Sequence, residues 1–87
     1  MQIKYTFEMM QLGDETVAVP VGKDAASFHG VVKLNDTAAF IFNHLKEQIS
    51  EEEILDALEK EYEATREELA ADLHKCLADF QEKGLLA

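Results

Sequence analysis

One cysteine, Cys76, is all this chain has, so no disulfide can close within it, which fits a reducing, cytoplasmic setting. No apolar run approaches the ~18 residues that a membrane span needs. No basic segment leads into an apolar stretch at the start, so neither a transmembrane helix nor a signal peptide is expected. Basic residues are scarce: 8 Lys and Arg stand against 18 Asp and Glu, for a net charge of −10. Affinity for nucleic acid rests mainly on Lys and Arg that neutralise phosphates. Polyanions and anionic membranes are therefore disfavoured as partners, and neutral or basic surfaces are favoured. There is no Cys-x-x-Cys, no His-x-x-x-His and no glycine-rich phosphate loop. Repeats and low-complexity linkers are absent as well.

What is present is ordinary for a folded chain: 47% hydrophobic and 30% charged residues over 87 positions. That length makes one domain, residues 1–87. A chain of this size buries roughly 60–65% of its unfolded surface, enough for one core and too little for a deep enclosed active site. The first third, about residues 3–34, predicts a three-stranded antiparallel meander. Tyr5, Phe7 and Met9 alternate with polar residues. Gly13-Asp14-Glu15 is a turn signal, and Thr16 to Val21 is a second strand with Val17, Val19 and Val21 on one face. Pro20, the single proline, cannot donate to a ladder and belongs near a strand end or an edge. After a connection over Gly22 to Ser27, residues Phe28 to Leu34 predict the third strand, weakened at Gly30, where close backbone approach is permitted.

Residues 35–86 predict three amphipathic helices. The first begins after Leu34-Asn35 and offers Ala38, Ile41, Phe42, Leu45 and Ile49 on one face. Ser50-Glu51-Glu52-Glu53 and Thr65-Arg66-Glu67-Glu68 are capping boxes: a hydroxyl accepts from the N3 backbone N–H, and the glutamate reaches back to the cap N–H. The second helix offers Ile54, Leu55, Leu58 and Tyr62. The third offers Leu69, Leu73, Cys76, Leu77 and Phe80, and Gly84 is placed to end it. Two or three strands are not stable alone and need these helices as cover. The expected fold is α+β: a small winged-helix-like domain, a three-stranded antiparallel meander followed by three helices.

Catalytic patterns are weak. His29, His44 and His74 are dispersed, and His74 and Cys76, two residues apart on a helix, face different sides and share no metal by local spacing. Cys76 lies on the apolar stripe and reads as a small hydrophobe. The glutamates at 51 to 53 and 67 to 68 suit helix starts rather than paired acid–base work. No enzyme, no cofactor and no metal site is expected.

The run Leu34-Asn35-x-Thr37-Ala38-x-x-Ile41-Phe42, the Glu53-Ile54 helix start, Glu67-Glu68-x-x-x-Asp72-Leu73 and the ending Leu77-x-x-Phe80-x-x-x-Gly84-Leu85-Leu86 together resemble the PqqD-like family. Its founding member assists pyrroloquinoline quinone biosynthesis. Family members usually carry Trp at the place of Phe42, and often an aromatic pair where this chain has Val31-Val32. The resemblance implies a non-catalytic chaperone that holds the leader segment of a ribosomally made precursor peptide. It would present that peptide to a modifying enzyme, often a radical S-adenosylmethionine enzyme. The leader would add as a strand to the third strand, at Gly30, Val31, Val32, Lys33 and Leu34. It would lie against the third helix, with Leu69, Asp72, Leu73 and Cys76 the expected contacts.

General physics points to the same edge. The last strand of a meander has unpaired N–H and C=O groups ready for another chain. Strand addition takes affinity from backbone bonds and specificity from alternate side chains. Leucines at helical spacing usually form core. Here the first half of the stripe is expected to be partly groove, with Leu73 toward the rim and Leu77 and Phe80 in the core. Two other uses of the edge are a homodimer through that strand and a protein-interaction adaptor without a modified peptide. A winged-helix DNA-binding protein would need a basic third helix. This one carries Glu67, Glu68, Asp72, Asp79 and Glu82 against Arg66, Lys75 and Lys83.

Overall fold

A computed structural model of the chain describes residues 1–27 and 30–87. The elements run β1 (Phe7–Leu12), β2 (Glu15–Pro20), α1 (Asp24–Ser27), β3 (Val32–Leu34), α2 (Asp36–His44), α3 (Glu51–Glu61) and α4 (Arg66–Glu82). This is the α+β order expected, with one addition: the single turn α1 stands where the sequence suggested only a connection. Its Asp24 carboxylate accepts from the Thr6 backbone N–H at 2.8 Å and so ties the connection to the approach to β1.

The sheet has the order β1-β2-β3, antiparallel throughout. Met9, Ala18 and Val32 line up across it, as do Met10, Val17 and Lys33. The first row faces the core, where Ala18 is fully buried. The alternate valines of β2 do share a face, but it is the opposite one: Val17 is buried outside the core cluster. Pro20 is the last residue of β2, so its missing N–H costs no ladder bond, and Val21 N–H donates to Thr6 C=O at 3.0 Å just beyond it.

Each long helix is started by its cap. Asn35 Oδ1 accepts from Ala38 N–H at 2.8 Å to open α2. At α3 the box is complete: Ser50 Oγ accepts from Glu53 N–H at 3.1 Å, and the Glu53 carboxylate accepts from Ser50 N–H at 3.2 Å. At α4 only half of the expected box forms. Thr65 Oγ1 accepts from Glu68 N–H at 3.2 Å, but its own hydroxyl donates to the Glu68 carboxylate at 3.0 Å. A hydroxyl both donates and accepts, and here the donor half takes the carboxylate that the Thr65 backbone N–H was expected to hold. At the far end of α4, Gly84 at φ 73° lets Leu85 N–H reach Phe80 C=O at 2.9 Å and Gly84 N–H reach Gln81 C=O at 3.0 Å. Leu85 is thereby folded back to full burial.

The core joins both halves. Phe7 meets Phe42 edge to face at 5.3 Å, and Phe42 meets Phe80 in the same way at 5.7 Å, which links β1, α2 and α4 through ring contacts. Ile41, Leu45, Ile54, Leu58 and Leu73 complete it at full burial. α2 ends at His44, so Ile49 reaches the core from the following turn rather than from the helix. That turn is held by residues 1–4, a strap with no periodicity to announce it. Met1 and Ile49 exchange bonds at 2.7 and 3.0 Å, and Ile3 N–H donates to Leu45 C=O at 2.8 Å. On its other side, Lys4 N–H donates to Leu85 C=O at 2.8 Å and Ala87 N–H to Gln2 C=O at 2.9 Å. Charge then clasps α3 to α4. Arg66 hydrogen-bonds Asp56 and Glu59 and lies 3.9 Å from Glu52, so its guanidinium is held above its ordinary range, chiefly by the Asp56 bond.

Candidate functional site

β3 is an outer strand. Its three residues pair with Thr16, Val17 and Ala18 of β2, and among the described residues no strand lies on its other side. It is shorter than the expected Phe28–Leu34. Phe28 and His29 lie outside the described residues. Gly30 is not a weak point within the strand but a turn residue before it, with φ at 95°, a left-handed conformation that L side chains rarely adopt. Val31 follows it, also ahead of the strand and 52% exposed.

Side chains along β3 divide cleanly. Val32 and Leu34 point into the core, while Lys33 is exposed and lies 4.0 Å from Glu15 across the sheet. The strand is therefore anchored by two buried side chains, while its backbone forms the margin of the sheet.

The helix opposite is not the wall that the sequence suggested. Leu69 is 3% exposed and Leu73 fully buried, as deep as Phe80 and deeper than Leu77. The whole leucine stripe is core, because α4 packs against both α3 and α2. The surface that α4 presents is polar: Asp72 and Lys75 are exposed, and Cys76 is half-buried. Burial pushes the Cys76 thiol up from its ordinary value, and the charges of Asp79 and Asp72 push it further, so it stays protonated at neutral pH.

Two hollows share a lining residue at the end of β3. One, about 290 Å³, is lined by Asp14, Glu15, Lys33, Leu34 and Asn35. The other, about 240 Å³, is lined by Asn35, Thr37, Asp72, Lys75 and Cys76. Asn35 is common to both. The structure thus brings Lys33 and Leu34 to one side of Asn35, and Asp72 and Cys76 to the other. It does not bring Leu69 or Leu73 to either hollow. Asn35, Thr37 and Lys75 were not singled out from the sequence as site residues. The signal available was the position of Asn35 and Thr37 directly after the strand. Another hollow, about 440 Å³, is lined by the end of α2, the turn that follows and Glu53 of α3, and by no residue of β3 or α4. Among the described residues, no group of His, Cys, Asp or Glu could hold a metal ion, and no helix is long and apolar enough to cross a membrane.

Residues 14–86 match the family model described as coenzyme PQQ synthesis protein D (PqqD). None of the curated proteins compared with the chain matches it. Two solved structures do. One is TbiB1 in complex with the TbiA(beta) leader peptide. It is 27% identical, with a TM-score of 0.75, over 99% of this chain and 94% of that one. The other is lasso peptide synthetase B1 complexed with the leader peptide. It is 25% identical, with a TM-score of 0.70, over 97% of this chain and 93% of that one.

Proposed function

This chain belongs to the PqqD family, and from that premise we propose that it is a non-catalytic peptide-binding chaperone for the leader segment of a precursor peptide. The observation that carries the reading is the outer side of β3, unpaired among the described residues, anchored by Val32 and Leu34, with one hollow at its end and a second that reaches α4. Likeness to two proteins solved with leader peptides supports it over nearly the full chain. The leader adds as a strand beside Val32, Lys33 and Leu34, with Gly30 and Val31 at one end of its path. Asp72 and Cys76 border the other end. Leu69 and Leu73 act from beneath, by holding α4 in place. The domain presents the leader to a modifying enzyme, in this family often a radical S-adenosylmethionine enzyme, and it works in the cytoplasm without a cofactor.

The test is a titration of isotope-labelled protein with leader peptide, beginning with the TbiA(beta) leader. Backbone amide shifts are expected to concentrate in residues 30 to 35 and around 72 to 76. Shifts confined to α3 or β1 would place the site elsewhere and sink the reading.

A further inference from the structure

The ladder that β3 offers is only three residues long. Asn35 follows the strand directly and lines both hollows, so a peptide that runs along β3 past Leu34 would meet it next. Asn35 is exposed, yet its carboxamide is not free to turn. Its Oδ1 accepts from Ala38 N–H at 2.8 Å as the cap of α2. That bond fixes which end of the amide is the acceptor. It leaves Nδ2, with two N–H donors, without a recorded partner among the described residues. A fixed donor beside an open strand end is preorganised for the carbonyl of a passing chain and loses little entropy on binding.

We infer that Asn35 is a peptide-binding residue: its Nδ2 donates to a backbone carbonyl of the bound peptide just beyond the β3 ladder and so extends the pairing by one bond. The inference rests on the leader-binding reading above. It separates two duties of one side chain. The oxygen starts α2, and the nitrogen holds the peptide. Because the bond is to backbone, it serves peptides of differing sequence.

Cap chemistry makes the duties separable. Asp and Ser cap a helix about as well as Asn, but neither supplies the amide donor. The probe is a peptide selected for binding from a phage-displayed random library, together with the same peptide carrying N-methyl groups on alternate backbone amides. Asn35→Ser and Asn35→Asp are expected to keep the parent's melting temperature within a few degrees. Asn35→Ser should weaken binding of the unmethylated probe about fivefold. Asn35→Asp should weaken it more, because a carboxylate faces a carbonyl. The Asn35 side-chain amide resonances of the parent should shift when the probe is added. If both variants bind as tightly as the parent, or those resonances stay still, the role of Asn35 is overturned while strand addition stands. If the methylated probe binds as well as the unmethylated one, strand addition itself fails and the Asn35 role falls with it.

Discussion

Leu73 is the position where sequence and structure make opposite predictions. As a groove residue it would tolerate change and lose peptide binding. As the fully buried centre of the α4 stripe, it supports the fold. Leu73→Ala removes buried methyl groups between α4, α3 and α2, and such truncations cost about 2–5 kcal/mol, depending on how far the site collapses. A small domain has only ~5–15 kcal/mol in total. At roughly 4–8 °C per kcal/mol for a domain of this size, the melting temperature should fall by roughly 8–40 °C. With a urea slope of ~1–3 kcal/mol per molar, the midpoint should move by at least about 0.7 M. Asp72→Ala, one residue away on the exposed side, is the control and should stay within about 0.5 kcal/mol of the parent. Leu73→Asp adds an unpaired buried carboxylate and should not fold at all. The assay is urea unfolding followed by circular dichroism, with peptide titration on every variant that folds. A Leu73→Ala protein with the parent's midpoint and a weakened peptide affinity would refute the burial argument and restore the groove.

Four further outcomes are expected. Glu53→Ala should cost more stability than Glu68→Ala, because Glu53 satisfies a backbone N–H while Glu68 takes only the Thr65 hydroxyl. Thermal melts of the pair decide it, and equal losses would mean that the two boxes are alike. Ile3→Ala should destabilise by about 2–5 kcal/mol, and the amides of Ile3 and Lys4 should be protected from hydrogen exchange, because both donate across the strap. Rapid exchange there would show the strap open in solution. Cys76 has a raised thiol pKa in the folded state. Its contribution is therefore fully present below the unfolded thiol's value and is lost as pH rises through the folded one. The alkaline loss of stability should shrink in Cys76→Ser, and a Cys76 that reacts rapidly with a disulfide reagent at neutral pH would contradict the raised value. With a net charge of −10, duplex DNA should not bind at physiological salt. A salt-sensitive anisotropy change at micromolar protein would overturn that.

How much of this was legible in the residues depended on the range of the interaction. Helix starts are local, and Ser50 with Glu53 could be read directly because cap and partner lie three residues apart. The helix register was equally local, since Leu69, Leu73, Leu77 and Phe80 recur at helical spacing. Depth along that stripe is not local. Periodicity assigns Leu73 to a face but does not say that α3 will lie across it, and so a groove was expected where the core is. The strand boundary failed for a similar reason: alternation continues through residues 28 to 34, whereas the left-handed turn at Gly30 sets the start of pairing. The strap of residues 1–4 was invisible because its bonds go to Leu45, Ile49 and Leu85, more than forty positions away. Asn35 was legible as the boundary between strand and helix, but its role as a cap, and the donor left over from that cap, appear only once Ala38 N–H is seen to take the oxygen.

The shortness of β3 constrains how any peptide could be held there. A three-residue strand offers only a few backbone bonds, each with a net worth of about 0.5–1.5 kcal/mol. Even a fully formed ladder therefore supplies about 4 kcal/mol, while a micromolar complex needs about 8 kcal/mol. Length cannot make up the difference, because the left-handed Gly30 precedes the strand and α2 begins directly after Asn35. What the fold supplies is rigidity. Val32 and Leu34 are locked in the core, their partners Ala18 and Thr16 fix the register, and Asn35 is pinned by its own cap. An edge that is already ordered adds little entropic cost of its own, so most of that cost falls on the peptide. The remaining affinity must then come from contacts beyond the ladder, in the two hollows that Asn35 helps to line. Selectivity among peptides should follow those hollows, where Lys33, Asp72 and Lys75 offer charges of both signs, rather than the strand itself, which any extended chain could pair with.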